Sequence, residues 1–222
     1  MSYSYEYPHP AVTVDIVIFS VRHDRLNLLL IKRAAHPFKG QWALPGGFVG
    51  IEEDLLQAAK RELLEETGVE TGYLEQLYTF GEPKRDPRER VISVAYFALI
   101  PSDLLELRAA SDAEGVGWFS VDELPPLAFD HQSILETAQH RLKAKLEYST
   151  IAFQLMPQEF TMAELQQVYE VITQEPIDKR NFVKRIHALN VLTETGSQRR
   201  EGAHRPAKLY RVIDRENIEL IK

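Results

Sequence analysis

Four glutamates, Glu53, Glu62, Glu65 and Glu66, surround one arginine, Arg61, shortly after a Gly46-Gly47 pair. Residues three and four apart share a helix face, so Glu62, Glu65 and Glu66 are expected to project together. Like charges so placed destabilise an isolated helix by roughly a few tenths of a kcal/mol. A divalent cation with a preference for oxygen reverses that penalty, and Mg²⁺ is the usual one in phosphate chemistry. A solvated acidic face is the alternative that helix geometry leaves open. A second cluster has the opposite sign. Residues 179–211 hold nine Lys/Arg against two acids, Glu194 and Glu201, a local +7 in a chain of net charge −7. The remainder therefore carries −14, and this asymmetry suggests two units with different partners.

The acidic cluster needs a helix to carry it. Asp54 is a suitable N-cap and Gly68 a stop, giving a helix from about Asp54 to Thr67 with Leu55, Ala59 and Leu63 turned inward. Residues 11–33 read as a hairpin. "AVTVDIVIF" alternates Val12, Val14, Ile16 and Ile18 on one face, "RHDR" turns and "LNLLLIKR" returns. "AAHPFKGQWALPGG" is a loop carrying aromatics. "YLEQLYTFGEP", "RVISVAYFALI" and "GVGWFSVDELPPL" read as strands, and "DHQSILETAQHRLKAKL" as a helix closing a first domain over residues 1–148. The mixture predicts an α/β or α+β domain.

Residues 149–222 read differently. "EYSTIAFQLMP" is a connector. Thr161 and Glu164 form a capping box ahead of a helix with Met162, Leu165, Val168 and Ile172 on one face. Asp178 caps a second helix with Phe182, Ile186 and Leu189 inward, which turns Lys179, Arg180, Asn181, Lys184 and Arg185 outward. "TETGSQRREGAHRPAKLYRVI" reads as two strands around a basic loop. Two capped helices and a basic hairpin describe a winged helix-turn-helix. The second helix would meet base edges in the major groove, where Arg pairs well with guanine. The wing would bring Arg199, Arg200, His204, Arg205 and Lys208 to phosphates or the minor groove. A solvated basic surface, or a docking face for the acidic first domain, is the alternative.

The chain has no cysteine, which excludes disulfides and thiolate metal sites and fits a reducing compartment. "MSYSYEYPHP" has neither the basic nor the apolar stretch of a signal peptide, and no apolar run reaches the roughly 18 residues of a membrane span. A cytoplasmic location without membrane partners is expected.

Gly47, five residues, Glu53, seven residues, Arg61-Glu62-Leu63, one residue, Glu65-Glu66, one residue and Gly68-Val69 match the Nudix box completely. Residues 10–145 thus resemble Nudix hydrolases. The resemblance implies a Nudix sandwich, a mixed sheet between helices, with the box as loop–helix–loop. It implies that Glu62, Glu65 and Glu66 hold Mg²⁺, with Mn²⁺ as the alternative, on a substrate diphosphate. It implies that Glu53 and Arg61 support the site as a charge pair, that Gly47 belongs to the ligand-binding residues, and that a further catalytic acid comes from a later loop, for which Glu114 is the candidate, with an exposed loop acid as the alternative. Gly50 is a departure, since the family often carries an acid there.

"TFGEPKRDPRERVISVAYFAL" resembles ADP-ribose-recognising Nudix proteins, with Pro83 near that group's proline. Arg85 and Arg88 could meet phosphate oxygens, or be surface charges on a turn. Phe19, Phe38 and Trp42 could stack on adenine, or pack in the core. "LAFDHQSIL", "EFTMAELQQVYEVI", "DKRNFVKRI" and "RPAKLYR" extend the resemblance to Nudix-related transcriptional regulators of NAD metabolism. That resemblance implies a homodimer which binds a double-stranded, pseudo-palindromic DNA operator and releases it when ADP-ribose occupies the Nudix site. Three readings stay open. The chain is a regulator, an ADP-ribose pyrophosphatase yielding AMP and ribose 5-phosphate whose tail dimerises or docks, or both at once.

Overall fold

The computed structural model describes residues 6–68, 73–103, 115–200, 206–215 and 217–221. The elements run β1 Ala11–Arg22, β2 Arg25–Lys32, β3 Trp42–Ala43, β4 Gly46–Phe48, α1 Leu55–Thr67, β5 Tyr73–Phe80, β6 Val91–Leu99, β7 Val116–Ser120 and α2 His131–Tyr148. A 3₁₀ turn, Ile151–Leu155, leads to α3 Met162–Thr173, α4 Lys179–Ala188, β8 Leu192–Arg199 and β9 Ala207–Val212.

The first nine elements build a seven-stranded sheet in the order β3-β2-β1-β6-β5, with β4 joined to β1 and β7 to β2. The hairpin forms where its alternation places it, but β1 is covered on both faces. Val14, Ile16 and Ile18 are fully buried, and so are Val17 and Phe19, while Asp15 is also buried. The reason is position: β1 lies between β2 and β6 in the middle of the sheet. A strand so placed buries its polar residues as well, and each then needs a partner. Helix α1 has the expected cap, closed by Gln57 into a full capping box, and ends at Gly68 in the left-handed conformation. Ala59 and Leu63 face the core as expected, joined by Ala58. Among the described residues no helix is long and apolar enough to cross a membrane.

Contacts divide the chain into two compact units. One comprises Met1–Ile18, Leu28–Ala98 and Asp112–Ala138; the other comprises Phe19–Asn27, Leu99–Ser111 and Gln139–Lys222. The division passes through α2, an unbroken helix of 18 residues. In the second unit α3 buries Leu165, Val168, Tyr169 and Ile172, and α4 buries Phe182 and Ile186. Tyr169 and Phe182 meet edge to face, 5.2 Å between centroids. Strands β8 and β9 pair antiparallel, and Phe160 exchanges both backbone hydrogen bonds with Tyr210, so the hairpin is anchored beside α3.

Candidate functional site

The box folds onto the β4 turn. Gly46 pairs with Asp15 of β1, and its N–H donates to Oε2 of Glu66 at 2.7 Å. A Cβ on Gly46 would lie 2.2 Å from the backbone oxygen of Val14, so the strand pairing itself requires glycine here. A Cβ on Gly47 would lie 2.2 Å from Oε1 of Glu62; the carboxylate occupies the space that glycine leaves. Arg61 is the hub of the cluster. Its guanidinium donates to both oxygens of Glu53 (2.9 and 2.6 Å), to Glu62 Oε1 (2.7 Å), to Glu65 Oε2 (3.2 Å) and to the Phe48 carbonyl (3.2 Å). The Arg61 hydrogen bonds and the Gly50 N–H hold Glu53 at about 2, and the same carboxylates raise Arg61.

The three proposed metal ligands differ in surroundings. Glu62 is buried, Glu66 half-buried and Glu65 exposed. Helix spacing alone predicts one shared face, but Arg61 draws Glu62 and Glu65 while Gly46 draws Glu66. Among the described residues no three acidic or histidine side chains stand close enough together to hold a metal ion as they lie. The donor set nevertheless fits a divalent cation. Burial raises Glu66; the Gly46 N–H and, more weakly, the charge of Arg33 oppose that, the charges of Glu62 and Asp15 reinforce it, and the carboxyl stands at about 7. Such an excess of buried negative charge is what a hard cation with oxygen ligands would relieve.

Beside the turn lies a cleft of about 190 Å³. Its floor is a buried network. Arg85 donates to both oxygens of Asp130 (2.9 and 2.7 Å) and to Asp15 (3.2 Å), and the Ser93 hydroxyl donates to Asp15. The Leu44 N–H donates to Nδ1 of His131, and Nε2 of the same ring lies 3.4 Å from Asp15. Burial alone would raise Asp15; His131, Arg85 and Ser93 outweigh it and hold the carboxyl at about 2. The walls carry Phe48, Phe129, Arg33 and Arg88. Arg88 pairs with Asp86 (2.7 Å) and stacks on Phe48 at 5.2 Å. Phe129 meets Phe38 edge to face at 4.8 Å.

In the second unit the Asp178 carboxylate caps α4 by accepting from the Asn181 N–H at 2.8 Å. Lys179, Arg180, Asn181 and Lys184 are exposed along that helix. Arg185 lies back over Tyr169 (5.5 Å) and Phe182 (5.8 Å). Arg199 is tied to Glu164 (2.6 Å) and to the Glu159 carbonyl (3.2 Å), and Lys208 grips both oxygens of Glu194 at 2.9 Å.

Residues 9–138 match the model of the NUDIX domain, and residues 152–212 match that of the NrtR DNA-binding winged helix domain. A protein of Acinetobacter baylyi described as "ADPR responsive transcriptional repressor NtrR" is 42% identical over 210 residues, 93% of this chain and 83% of its own length. The chain belongs to the NrtR family. An ADP-ribose pyrophosphatase of Methanocaldococcus jannaschii is 43% identical over 59% of this chain and 73% of its own. The crystal structure of Shewanella oneidensis NrtR complexed with a 27mer DNA is 38% identical, with a TM-score of 0.84 over 90% of this chain and 93% of that one. The expected fold, a Nudix domain followed by a winged helix, is therefore the NrtR fold.

Set against this NrtR frame, the expected site residues separate. Gly47, Glu53, Arg61, Glu62 and Glu66 meet at the β4–α1 turn, with Glu65 at its rim. Arg85 and Arg88 do line the cleft, but both are committed to carboxylates. Pro83 is exposed and outside the cleft lining. Trp42 packs edge-on against Phe119 at 4.7 Å, and Phe19 is core. Glu114, His204 and Arg205 lie outside the described residues. Sequence reasoning missed Asp15, Asp130, His131, Arg33 and Phe129. The one local signal was an aspartate inside the apolar run of β1.

Proposed function

We propose that this protein is a transcriptional repressor that binds an operator through its winged helix and lets go when ADP-ribose enters the Nudix cleft. The observation that carries the reading is the surface of α4. Lys179, Arg180 and Lys184 are exposed and form no ion pair with any described residue. They follow a capped N-terminus, the part of a recognition helix that meets base edges. The same chain holds a cleft floored by buried charge beside a complete box. A two-fold operator calls for a two-fold protein, so a homodimer in the cytoplasm completes the proposal. The test is a titration of fluorescent promoter DNA with and without ADP-ribose. Saturating ADP-ribose should weaken binding, and unchanged affinity overturns the sensor.

The complete box supports a second activity, metal-dependent hydrolysis of ADP-ribose to AMP and ribose 5-phosphate. Glu62, Glu65 and Glu66 would hold the divalent ion, Mg²⁺ by preference or Mn²⁺. The ion, when bound, neutralises phosphoryl charge and lowers the pKa of water. The chain's own part is positional. Gly47 makes room for Glu62, Arg61 fixes Glu53 against the Gly50–Glu53 turn, and Gly46 holds Glu66. Glu66→Gln should abolish AMP production while leaving operator affinity intact; unchanged turnover refutes this role for Glu66.

A further inference from the structure

Three arginines line the cleft, and their surroundings are unequal. Arg85 is clamped by Asp130 and Asp15, and Arg88 is paired with Asp86. Both charges are matched before any ligand arrives. Arg33 differs. It is half-buried and forms no ion pair with any described residue. Its Nε donates to the Pro37 carbonyl at 2.8 Å, and its guanidinium lies 4.6 Å from the centre of the Phe129 ring. A guanidinium has five N–H donors, and only one is engaged among the described residues. Burial and the neighbouring Arg88 disfavour this charge, and the carboxylates of Asp86, Glu66 and Asp15 offset them only from a distance, without contact.

The surface that holds Arg33 is itself unusual. Phe129 has φ +54° and Phe38, which meets it edge-on, has φ +62°. Bulky side chains rarely adopt this left-handed region, and such outliers gather at ligand clamps. Phe129, itself met by Phe38, lies under Arg33 at the cleft wall, and the terminal nitrogens of Arg33 have no hydrogen-bond partner among the described residues.

We infer that Arg33, rather than Arg85 or Arg88, is the residue that grips the ligand's diphosphate, presenting the free edge of its guanidinium to two phosphoryl oxygens. This match is bidentate and charge-assisted. Arg85 and Arg88 hold the floor and wall in place. The inference rests on the ADP-ribose reading of the cleft and names the anchor within it.

Calorimetry of ADP-ribose and of inorganic pyrophosphate, with EDTA present so that nothing is hydrolysed, tests it. Arg33→Ala should weaken both ligands by the same factor, about 30-fold, the loss of one such contact. Arg33→Lys should fall between, because the ammonium keeps the charge but not the fork. Melting temperature and operator affinity without ligand report whether the variants fold. If Arg33→Ala melts early, the lysine variant carries the test through a several-fold loss for both ligands. Weakening of ADP-ribose alone would mean that Arg33 acts only by propping Phe129, and the assignment fails. Unchanged affinity for both, or a wild-type protein that binds ADP-ribose but not pyrophosphate, also overturns it. A wild-type protein that binds no ADP-ribose removes the reading of the cleft, and the anchor with it.

Discussion

Glu66 joins the fold to the chemistry through its protonation. Its carboxyl stands at about 7 in the folded chain against an ordinary 4.5. A raised value stabilises the folded state below the unfolded value and loses that contribution as pH rises through the folded one. The metal-free protein should therefore lose stability from this group between about pH 4.5 and 7. A divalent ion needs the deprotonated carboxylate, so added Mg²⁺ should raise the melting temperature more at pH 8 than at pH 6. Glu66→Gln should flatten that difference, and an equal Mg²⁺ effect at both pH values would contradict it. Asp15 runs the other way. Its depressed value gives stability above about 3.8 that is lost as pH falls toward 2. The two acids thus bracket the range in which the cleft is best formed.

At the scale of elements, the wing and the recognition helix should respond differently to salt. Arg180 is exposed on α4, whereas Arg199 is bound to Glu164 and Glu159 beside the capping box of α3. Arg180→Ala should lower DNA affinity, and if Arg180 reaches a phosphate it should reduce the slope of log affinity against log salt by about 1. Arg199→Ala should loosen the hairpin and weaken binding with the slope intact. A reduced slope for Arg199→Ala would make it a phosphate contact after all. The caps behind these elements were legible from sequence because capping is local. Asp54, Thr161 and Asp178 each accept from the N–H three residues on. The network under the cleft was not legible. It joins Asp15 to residues 70 and 78 positions away, and Leu44 to one 87 away. Arg85 and Arg88 looked like free cations because their carboxylates are matched only by the fold or by a tight turn.

For the whole molecule, binding at one place must be answered at the other. If ADP-ribose weakens operator affinity by some factor, operator must weaken ADP-ribose affinity by the same factor. Measuring ADP-ribose affinity with and without saturating DNA checks this. A mismatch of the two factors would mean that hydrolysis or a change of assembly intrudes. Charge asymmetry foretold two units, and the box and capped helices foretold their kinds. The contact division was less legible. It passes through α2 and assigns the hairpin tip Phe19–Asn27 to the C-terminal unit, because packing between distant segments outweighs order along the chain.

Gly47 and Glu62 share one small volume, and this constrains the order in which their lineage can change. A methyl group at 47 collides with the tip of a flexible carboxylate, not with main chain. Gly47→Ala should therefore still fold while evicting Glu62, and Glu62→Ala in the same chain should restore a quiet turn. Calorimetric melting of the single and double variants would expose the coupling. Descendants that abandon hydrolysis should first shorten position 62, and only then become free to drift at 47.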